Sequence, residues 1–355
     1  MATFNKRSAS FYYRNILGAG CLLCFFIQQA AGAGLAVMEQ SAKELGQAFA
    51  GAPTNIDDGS MVFFNPAAMS QTHSRLVSVV GHAVFPPLDF ENNASQPDPI
   101  LGGARLRGGN NHGSLPVTLI PSVYYVQPLN DQFALGLAVN TPFGMRNHYQ
   151  SEWPGRYQAI NSELMAINVN PGFSLKLTDK FSFGAGLNVQ YLETKLTNAV
   201  DFGTICLQML NLGSCAAQDL LPQLADGHIA LKGSSVGVGY NLGIFYALSQ
   251  NTHLGVSYRS SVKHRVHGKA RYSVPDNASI LTQNNVFVDT KIRSTITLPD
   301  SVLFGFSHRF NPQWSVAGDI MWTRWSHMQE LRVGFLSMQP DSALDLKWRE
   351  LGVTL

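Results

Sequence analysis

Hydrophobic and polar residues alternate with a period of two along most of the chain. The clearest case is residues 181–191, where odd positions carry Phe, Phe, Ala, Leu, Val and Tyr, and even positions carry Ser, Gly, Gly, Asn and Gln. Such alternation predicts a β-strand with one apolar and one polar face. The same pattern extends this strand to 181–197 and predicts further strands near residues 75–85, 116–127, 132–142, 162–177, 233–248, 252–267, 291–309, 314–330 and 346–355.

The connections between these predicted strands alternate in length. Short polar turns fall at 128–131, 178–180, 249–251 and 310–313. Long connections fall at 86–115, 143–161, 198–232, 268–290 and 331–345. Short turns on one side and long loops on the other are typical of bacterial outer-membrane barrels, whereas a soluble sandwich gives no reason for this sorting.

A closed barrel pairs every backbone polar group within the protein, which a chain surrounded by lipid requires. The sequence therefore predicts an all-β fold, a transmembrane outer-membrane β-barrel over residues 73–355. Its small polar strand faces are expected to line the lumen. Candidate lumen residues are Asn168, Asn170, Asn188, Gln190, Asn241, Ser257, Arg259 and Asp319.

The first 33 residues resemble a targeting segment. Basic residues (Lys6, Arg7, Arg14) precede an apolar stretch at 16–27, and the small residues Ala31-Gly32-Ala33 follow. The alternative is a membrane anchor, but the apolar stretch has about 12 residues and a spanning helix needs about 20. We expect a signal peptide over 1–33 that is cleaved after Ala33.

Residues 34–72 differ from the rest of the chain. A short helix is predicted within 39–50, and Asn65-Pro66 is expected to open another helical turn, because proline is well tolerated at a first helical position. The segment is too apolar for a solvated tail. We therefore expect it to form a hatch, a plug inside the lumen.

Composition narrows the function. Charged residues make up 14% of the chain and the formal net charge is +2, which gives no reason to expect nucleic-acid binding. Two cysteines, Cys206 and Cys215, lie beyond the predicted signal peptide. A loop disulfide is favoured over a metal site, because an oxidising exterior supports it and no His or Cys residues cluster nearby. No metal or cofactor is expected.

Several motifs, in order, resemble the FadL-type transporters of long-chain fatty acids and aromatic hydrocarbons. The resemblance runs from Gly34 to about Trp348. The motifs that carry it are 34–41, 45–52, Asp57-Asp58, Phe64-Asn65-Pro66-Ala67, Trp153-Pro154-Gly155-Arg156-Tyr157, Pro171, Tyr258-Arg259-Ser260 and Leu298-Pro299-Asp300.

The resemblance implies a fourteen-stranded barrel with a lumenal hatch. Ligand would be captured at extracellular loops and released sideways at a kinked third strand. The residues implied in ligand binding or gating are Asn65, Pro66, Ala67, Thr141, Pro142, Phe143 and Gly144. A break at 141–144 also has a physical reason, because proline cannot donate to a strand ladder and glycine permits a bulge.

The ligand class stays open at this point. Basic residues hold the ligand's carboxylate in the family, but the corresponding position late in the fifth predicted strand carries Asn198. Lys195, Arg259 and Arg332 are possible substitutes as carboxylate partners. Long-chain fatty acids are the first expectation, and neutral aromatic hydrocarbons such as toluene are the alternative.

Other functions are weaker expectations. An outer-membrane lipid hydrolase would need a nucleophile beside a histidine, and no such arrangement is visible. A general porin would have charged constriction rings and no apolar plug. Ten predicted strands against fourteen suggest a truncated chain, and so a remnant without transport activity is a further alternative. We expect no enzymatic activity. The protein should lie in the outer membrane of a Gram-negative bacterium, as a monomer that the barrel-assembly machinery inserts into the bilayer.

Overall fold

A computed structural model describes residues 35–85, 87–93, 105–109, 111–114, 117–345 and 353–354. The predicted signal peptide lies outside the described residues, as does most of the last predicted strand. The strands are β1 (Leu76–Val84), β2 (Pro87–Phe90), β3 (Asn111–Ser114), β4 (Thr118–Pro128), β5 (Phe133–His148), β6 (Asn161–Lys176), β7 (Phe181–Asp201), β8 (Asp226–Ser249), β9 (Thr252–Arg259), β10 (Val262–Ser273), β11 (Thr290–Leu298), β12 (Ser301–Arg309), β13 (Ser315–Thr323), β14 (Glu330–Phe335), β15 (Ser342–Asp345) and β16 (Val353–Thr354).

The main sheet is antiparallel and contains fourteen strand segments. The long strand β8 pairs with β7 along one side, and with both β9 and β10 along the other. Three pairs of consecutive segments (β9 and β10, β11 and β12, β13 and β14) continue one another across short interruptions. β15 pairs with β14 and β16 with β13, so these two segments lie along the same side of one pass. The fourteen segments therefore occupy ten places in the sheet, the number of strands that alternation predicts. Within the described residues, β1 pairs on one side only, with β4.

The two faces of this sheet are opposite to those of a soluble protein. Along β7, Leu187, Val189 and Tyr191 are exposed, while Asn188 and Gln190 are fully buried. An apolar outer face and a polar inner face are what a lipid-facing wall requires. None of the helices in the described part of the chain is long and apolar enough to cross a membrane.

The N-terminal segment, residues 35–71, forms short helices. They are α1 (Ala42–Gly46), α2 (Met61–Phe64) and the 3₁₀ helices Ala52–Thr54 and Pro66–Gln71. The first is shorter than its predicted range, because Ala48 and Phe49 adopt left-handed backbone conformations with φ of 53° and 63°. Asn65 caps the last one, its side chain accepting from the N–H of Ala67 at 3.1 Å.

The sheet curves around the N-terminal segment. Met61 and Met69 pack with Tyr124 of β4 and Phe245 of β8. A second cluster joins Ala52 and Phe64 of the segment with Leu303 of β12. Strands β4, β8 and β12 are well separated in the sheet order. Neighbouring strands of a sheet lie about 4.8 Å apart, so a flat sheet would hold these three far from one another. A short segment can touch them all only if the sheet wraps around it.

The structure corrects several predicted boundaries. Strand β5 continues to His148, whereas the prediction ended this strand at 142, because a bulge carries the strand past the proline. Strand β7 extends to Asp201 and β10 to Ser273. The long connections are also more ordered than predicted. They contain the hairpin of β2 and β3, the helices α3 (Phe202–Met209) and α4 (Leu212–Ala216), and the 3₁₀ helix Asp276–Asn285. The 3₁₀ helix Trp325–His327 instead interrupts the predicted strand 314–330, and the predicted connection 331–345 contains the end of β14 and all of β15.

Candidate functional site

Strand β5 has a bulge where the sequence predicts a break. Asn140 pairs with Asn168 of β6, but Phe143 pairs with Ala166, so three steps along β5 match two steps along β6. Pro142 lies within this bulge, where the missing N–H of a proline costs no hydrogen bond between the strands. The bulge turns backbone groups of β5 toward the inside of the sheet.

The N-terminal segment pairs with this bulge. Ala36 forms an isolated antiparallel bridge with Phe143. The N–H of Val37 donates to the carbonyl of Pro142 at 3.0 Å, and the N–H of Gly144 donates to the carbonyl of Leu35 at 2.8 Å. The free backbone groups of the bulge are therefore satisfied by the N-terminal segment rather than by a neighbouring wall strand.

Gln40 reinforces the same junction. Its side chain is fully buried, and its Nε2 donates to the carbonyl of Thr141 at 2.9 Å. Its Oε1 accepts from Asn140 Nδ2 at 2.7 Å, while Tyr124 donates its hydroxyl to the Gln40 carbonyl at 2.9 Å. Sequence reasoning missed Gln40 and Tyr124, because nothing in the local pattern shows that a glutamine near the predicted N-terminus becomes buried.

An apolar cavity lies beside the bulge, between the N-terminal segment and the wall. The enclosed space is about 60 Å³, and it rises to about 640 Å³ when the part open to solvent is counted. Mainly apolar walls with a few polar groups characterise small-molecule sites. The lining comprises Ala36, Val37, Met38, Phe63, Phe64, Pro142, Phe143, Asn241, Ser257, Tyr258, Arg259, Pro299, Ser301, Leu303, Met321 and Thr323.

Arg259 is the one charged residue in this lining. Its guanidinium lies 4.2 Å from the ring centroid of Phe63 and donates from Nη2 to the Phe63 carbonyl at 3.0 Å. Nη1 donates to Asn188 Oδ1 at 2.5 Å. Among the described residues, no carboxylate lies within ion-pairing distance of Arg259. A cation in this position can donate charge-assisted hydrogen bonds to an anion.

A row of asparagines connects Arg259 with the bulge. Asn168 donates to Asn140 Oδ1 and to Asn188 Oδ1, each at 3.1 Å. Asn188 also accepts from Arg259. Because Asn140 in turn donates to Gln40, side-chain hydrogen bonds run without interruption from the N-terminal segment to Arg259. Alternation predicts the inward direction of Asn168 and Asn188, but their connection depends on strand register.

Asn65, Pro66 and Ala67 lie against the wall rather than in the cavity. Asn65 donates from Nδ2 to the carbonyls of Pro53 at 2.8 Å and Ile244 at 3.0 Å. The backbone of this motif approaches wall glycines so closely that a Cβ on Gly184 would lie 2.4 Å from Ala67 N. The structure therefore gives this motif an anchoring position, whereas the resemblance implied ligand binding or gating.

The remaining predicted site residues lie either at the cavity or on the outer face of the sheet. Pro142 and Phe143 line the cavity, with Thr141 and Gly144 adjacent in the bulge. Lys195 is exposed on β7, and Arg332 is exposed on β14 and forms an ion pair with Glu330 at 3.0 Å. These two cations project outward from the wall, so the structure does not bring them together with Arg259.

Charge within the N-terminal segment centres on Glu44. Burial raises the pKa of Glu44 to about 7, and the nearby carboxylate of Asp58 adds to the rise. Asp58 itself accepts from the hydroxyl of Ser41 at 2.7 Å, and Lys43 pairs with Asp57 at 2.8 Å. Glu44 is thus a buried acid that can change its charge near neutral pH.

The long connections form a packed layer beyond the wall. Cys206 and Cys215 are joined by a disulfide between α3 and α4. Their cluster includes Phe202 and Leu220 from the same connection and Leu281 from the next one. Within the motif at 153–157, Arg156 is buried and pairs with Asp226 at 2.8 Å. Apolar side chains nevertheless remain exposed on this layer, including Met209, Leu210 and Leu212.

Comparison with known proteins decides the family. Residues 23–353 match the model of the outer membrane protein transport protein family (OMPP1/FadL/TodX). The chain belongs to this family. It is therefore an outer-membrane β-barrel of a Gram-negative bacterium that transports hydrophobic compounds, and it is not an enzyme.

Individual relatives agree with this assignment. The chain is 28% identical over 327 residues to the long-chain fatty acid transport protein of Escherichia coli strain K12, covering 86% of this chain and 69% of the relative. A FadL homologue from Pseudomonas aeruginosa superposes with a TM-score of 0.70 at 21% identity, covering 89% and 75%. The toluene transporter TbuX of Ralstonia pickettii superposes with a TM-score of 0.59 at 21% identity, covering 83% and 75%.

Proposed function

We propose that this chain carries hydrophobic molecules with a carboxylate group, of the long-chain fatty acid class, across the outer membrane. The observation that carries the proposal is Arg259, an unpaired cation in an otherwise uncharged and mainly apolar cavity. An acyl chain gains about 0.8 kcal/mol for each methylene that it buries. The carboxylate would accept charge-assisted hydrogen bonds from Arg259.

The proposed route ends at the bulge of β5. Pro142 and Phe143 belong both to the bulge and to the cavity lining, so a ligand in the cavity lies next to the irregular part of the wall. The N-terminal segment covers this place through the bridge of Ala36 with Phe143. We propose that the segment acts as the hatch, and that its withdrawal from β5 opens a lateral exit toward the bilayer.

The proposed route begins at the long connections. Exposed apolar side chains of α3 and α4 offer a first contact for a hydrophobic molecule arriving from outside. The disulfide holds these two helices together, so the apolar residues keep a fixed arrangement. We also propose that the protein works as a monomer, inserted by the barrel-assembly machinery.

Neutral aromatic hydrocarbons are the second candidate. The rings of Phe63, Phe64 and Phe143 border the cavity, and aromatic rings favour edge-to-face contacts with other rings. Arg259 also already donates to Asn188 and Phe63, and a neutral ligand would leave these bonds intact. The two candidates differ in one property, the dependence of binding on the ligand's carboxylate.

Binding to the detergent-folded protein tests this difference. We expect oleate to bind at least tenfold more tightly than oleyl alcohol, in line with a charge-assisted hydrogen bond of roughly 1.5–3 kcal/mol. Arg259→Gln should remove the preference and Arg259→Lys should keep part of it. Arg309→Gln, at the exposed end of β12, is the matched control and should change nothing. Equal binding of oleate and oleyl alcohol, with tight binding of toluene, would instead support the aromatic hydrocarbon candidate.

A further inference from the structure

The outer face of β10 is strongly basic. Lys263, Arg265, His267, Lys269 and Arg271 are all exposed, and they alternate with inward residues such as His264 and Val266. In an outer-membrane barrel the outward face of a strand is normally an apolar surface for lipid. Five consecutive outward positions with basic side chains therefore need an explanation.

The register extends this basic face across neighbouring strands. Lys195 of β7 pairs with Lys232 of β8, Lys232 with Lys269 of β10, and Lys269 with Lys291 of β11. In the adjoining row, His267 pairs with Arg293. Side chains of directly paired residues lie about 5 Å apart, and like charges at this distance repel each other. Four lysines in one row across four strands would destabilise the wall unless anions neutralise them.

The chain supplies few such anions here. Glu193 pairs with Lys232 at 2.9 Å, and Glu330 pairs with Arg332. In the described part of the chain, Lys263, Arg265, Lys269, Lys291 and Arg293 form no ion pair. We call Lys232 and these five residues the basic belt. The whole chain has a formal net charge of only +2, so the belt is a local concentration of charge.

The basic belt lies where the apolar band of the wall ends. On β8 the outward residues are apolar or aromatic from Tyr246 to Val236, and then Ser234 and Lys232 follow. Ten residues of a strand tilted by about 40° span roughly 25 Å along the membrane normal, the height of the apolar band of such barrels. The belt is on the side of the long connections. It therefore lies at the level of lipid headgroups on the extracellular side.

We propose that the basic belt binds a phosphorylated lipid of the outer leaflet, with several phosphate groups on one headgroup. Arg265 and His267 border two neighbouring grooves. The first is shared with Lys263 and Ser234 and has no carboxylate in its lining. The second is shared with Arg293 and Arg332, and the carboxylates of Glu330 and Asp341 also line it, so the first groove is the stronger phosphate site. Arginine and lysine at these spacings can hold more than one phosphate. Beside Arg265 and Lys263, and below them on β8, Val236, Val238 and Tyr240 are exposed and offer an apolar surface for acyl chains. An amphipathic lipid fits both parts, which a soluble acidic protein would not.

Lipid binding to the detergent-folded full chain, measured by native mass spectrometry, tests the proposal. The probes are bisphosphorylated lipid A, the same lipid without its phosphates, and inorganic phosphate. The test variant combines Arg265→Gln, Lys269→Gln and Arg293→Gln. The control variant combines Arg75→Gln, Lys180→Gln and Arg309→Gln, which remove three exposed cations near the short turns. Heat-modifiable migration in gels shows that each variant is folded.

We expect the test variant to bind bisphosphorylated lipid A about 100-fold more weakly than the wild type, from roughly fivefold for each cation removed. The control variant should bind within about twofold of the wild type, since its cations lie at the opposite rim. Equal binding by a folded test variant would overturn the proposal. Equal binding of the lipid without phosphates would also overturn it, as would inorganic phosphate binding with no preference for the lipid.

Discussion

Val37 in the N-terminal segment donates its backbone N–H to the carbonyl of Pro142, at 3.0 Å, in the bulge of β5. The proline carbonyl points inward because the bulge breaks the regular pairing of β5 with β6. The same bulge therefore creates an irregular place in the wall and the contact that covers it. The proposed exit and the contact site of the proposed hatch are therefore formed by the same residues of β5.

Fixing the hatch to the bulge should stop transport. Ala36→Cys and Phe143→Cys place two thiols at the bridged positions, in a chain with Cys206→Ser and Cys215→Ser. We expect the oxidised form to lose uptake of labelled oleate and the reduced form to regain it. A second pair, Asn147→Cys with Ser162→Cys, joins two strands that already pair and serves as the control. Unchanged uptake by the oxidised Ala36–Phe143 pair would show that the N-terminal segment need not leave β5.

Docking of the N-terminal segment should depend on glycine in the wall. A Cβ on Gly243 would lie 2.1 Å from Asn65 Oδ1, so Gly243→Ala should push Asn65 away from β8. Asn65→Ala should also loosen the segment, by about 1–3 kcal/mol for the backbone carbonyls left without a donor. Gly81→Ala is the control, because nothing lies within 4 Å of its Cβ position.

Hydrogen exchange of residues 42–71 measures this docking. We expect faster exchange in the Gly243→Ala and Asn65→Ala variants, with exchange in the wall strands unchanged. The Gly81→Ala variant should behave like the wild type. Wild-type exchange in the Gly243→Ala variant would mean that the segment is held by other contacts and that Asn65 is not its anchor.

The wall could be predicted from the sequence, and the cavity could not. The alternation of apolar and polar residues and the lengths of the turns are set by residues close together in the sequence. The ten strand passes and the four short turns can therefore be predicted from a single sequence. The cavity depends on register between distant residues, such as Ala36 with Phe143 and Phe63 with Arg259. Asn65 illustrates the limit. Its capping role follows from Asn-Pro at a helix start, but its contact with Ile244 depends on how the sheet curves.

Docking of the N-terminal segment should weaken as pH rises toward neutrality. The pKa of Glu44 is about 7 in the folded chain and about 4.5 when the residue is solvated, since burial disfavours its charged form. Protonation therefore stabilises the docked segment, fully below pH 4.5, and this contribution is lost as pH rises through 7. Lys43, Asp57, Asp58 and Asp319 surround Glu44, and the positive charge of Lys43 only partly offsets the three carboxylates.

The hydrogen-exchange rate of residues 42–60 is measured in the wild type and in the Glu44→Gln variant at each pH. The ratio of the two rates isolates the contribution of the Glu44 charge. We expect wild type and variant to match near pH 4.5 and the wild type to exchange faster at pH 8. Lys43→Gln serves as a companion variant, and it should leave the direction of the pH dependence unchanged. A constant ratio between wild type and Glu44→Gln over this range would exclude Glu44 as the titrating group.

The position of a bound fatty acid tests the central claim most directly. A crystal structure of the folded chain with a terminally brominated fatty acid would locate both ends of the ligand. We predict the carboxylate within hydrogen-bonding distance of the Arg259 guanidinium, about 2.8 Å, and the bromine farther along the cavity lined by Phe64 and Met321. A fatty acid bound elsewhere in the lumen, with its carboxylate away from Arg259, would contradict the account.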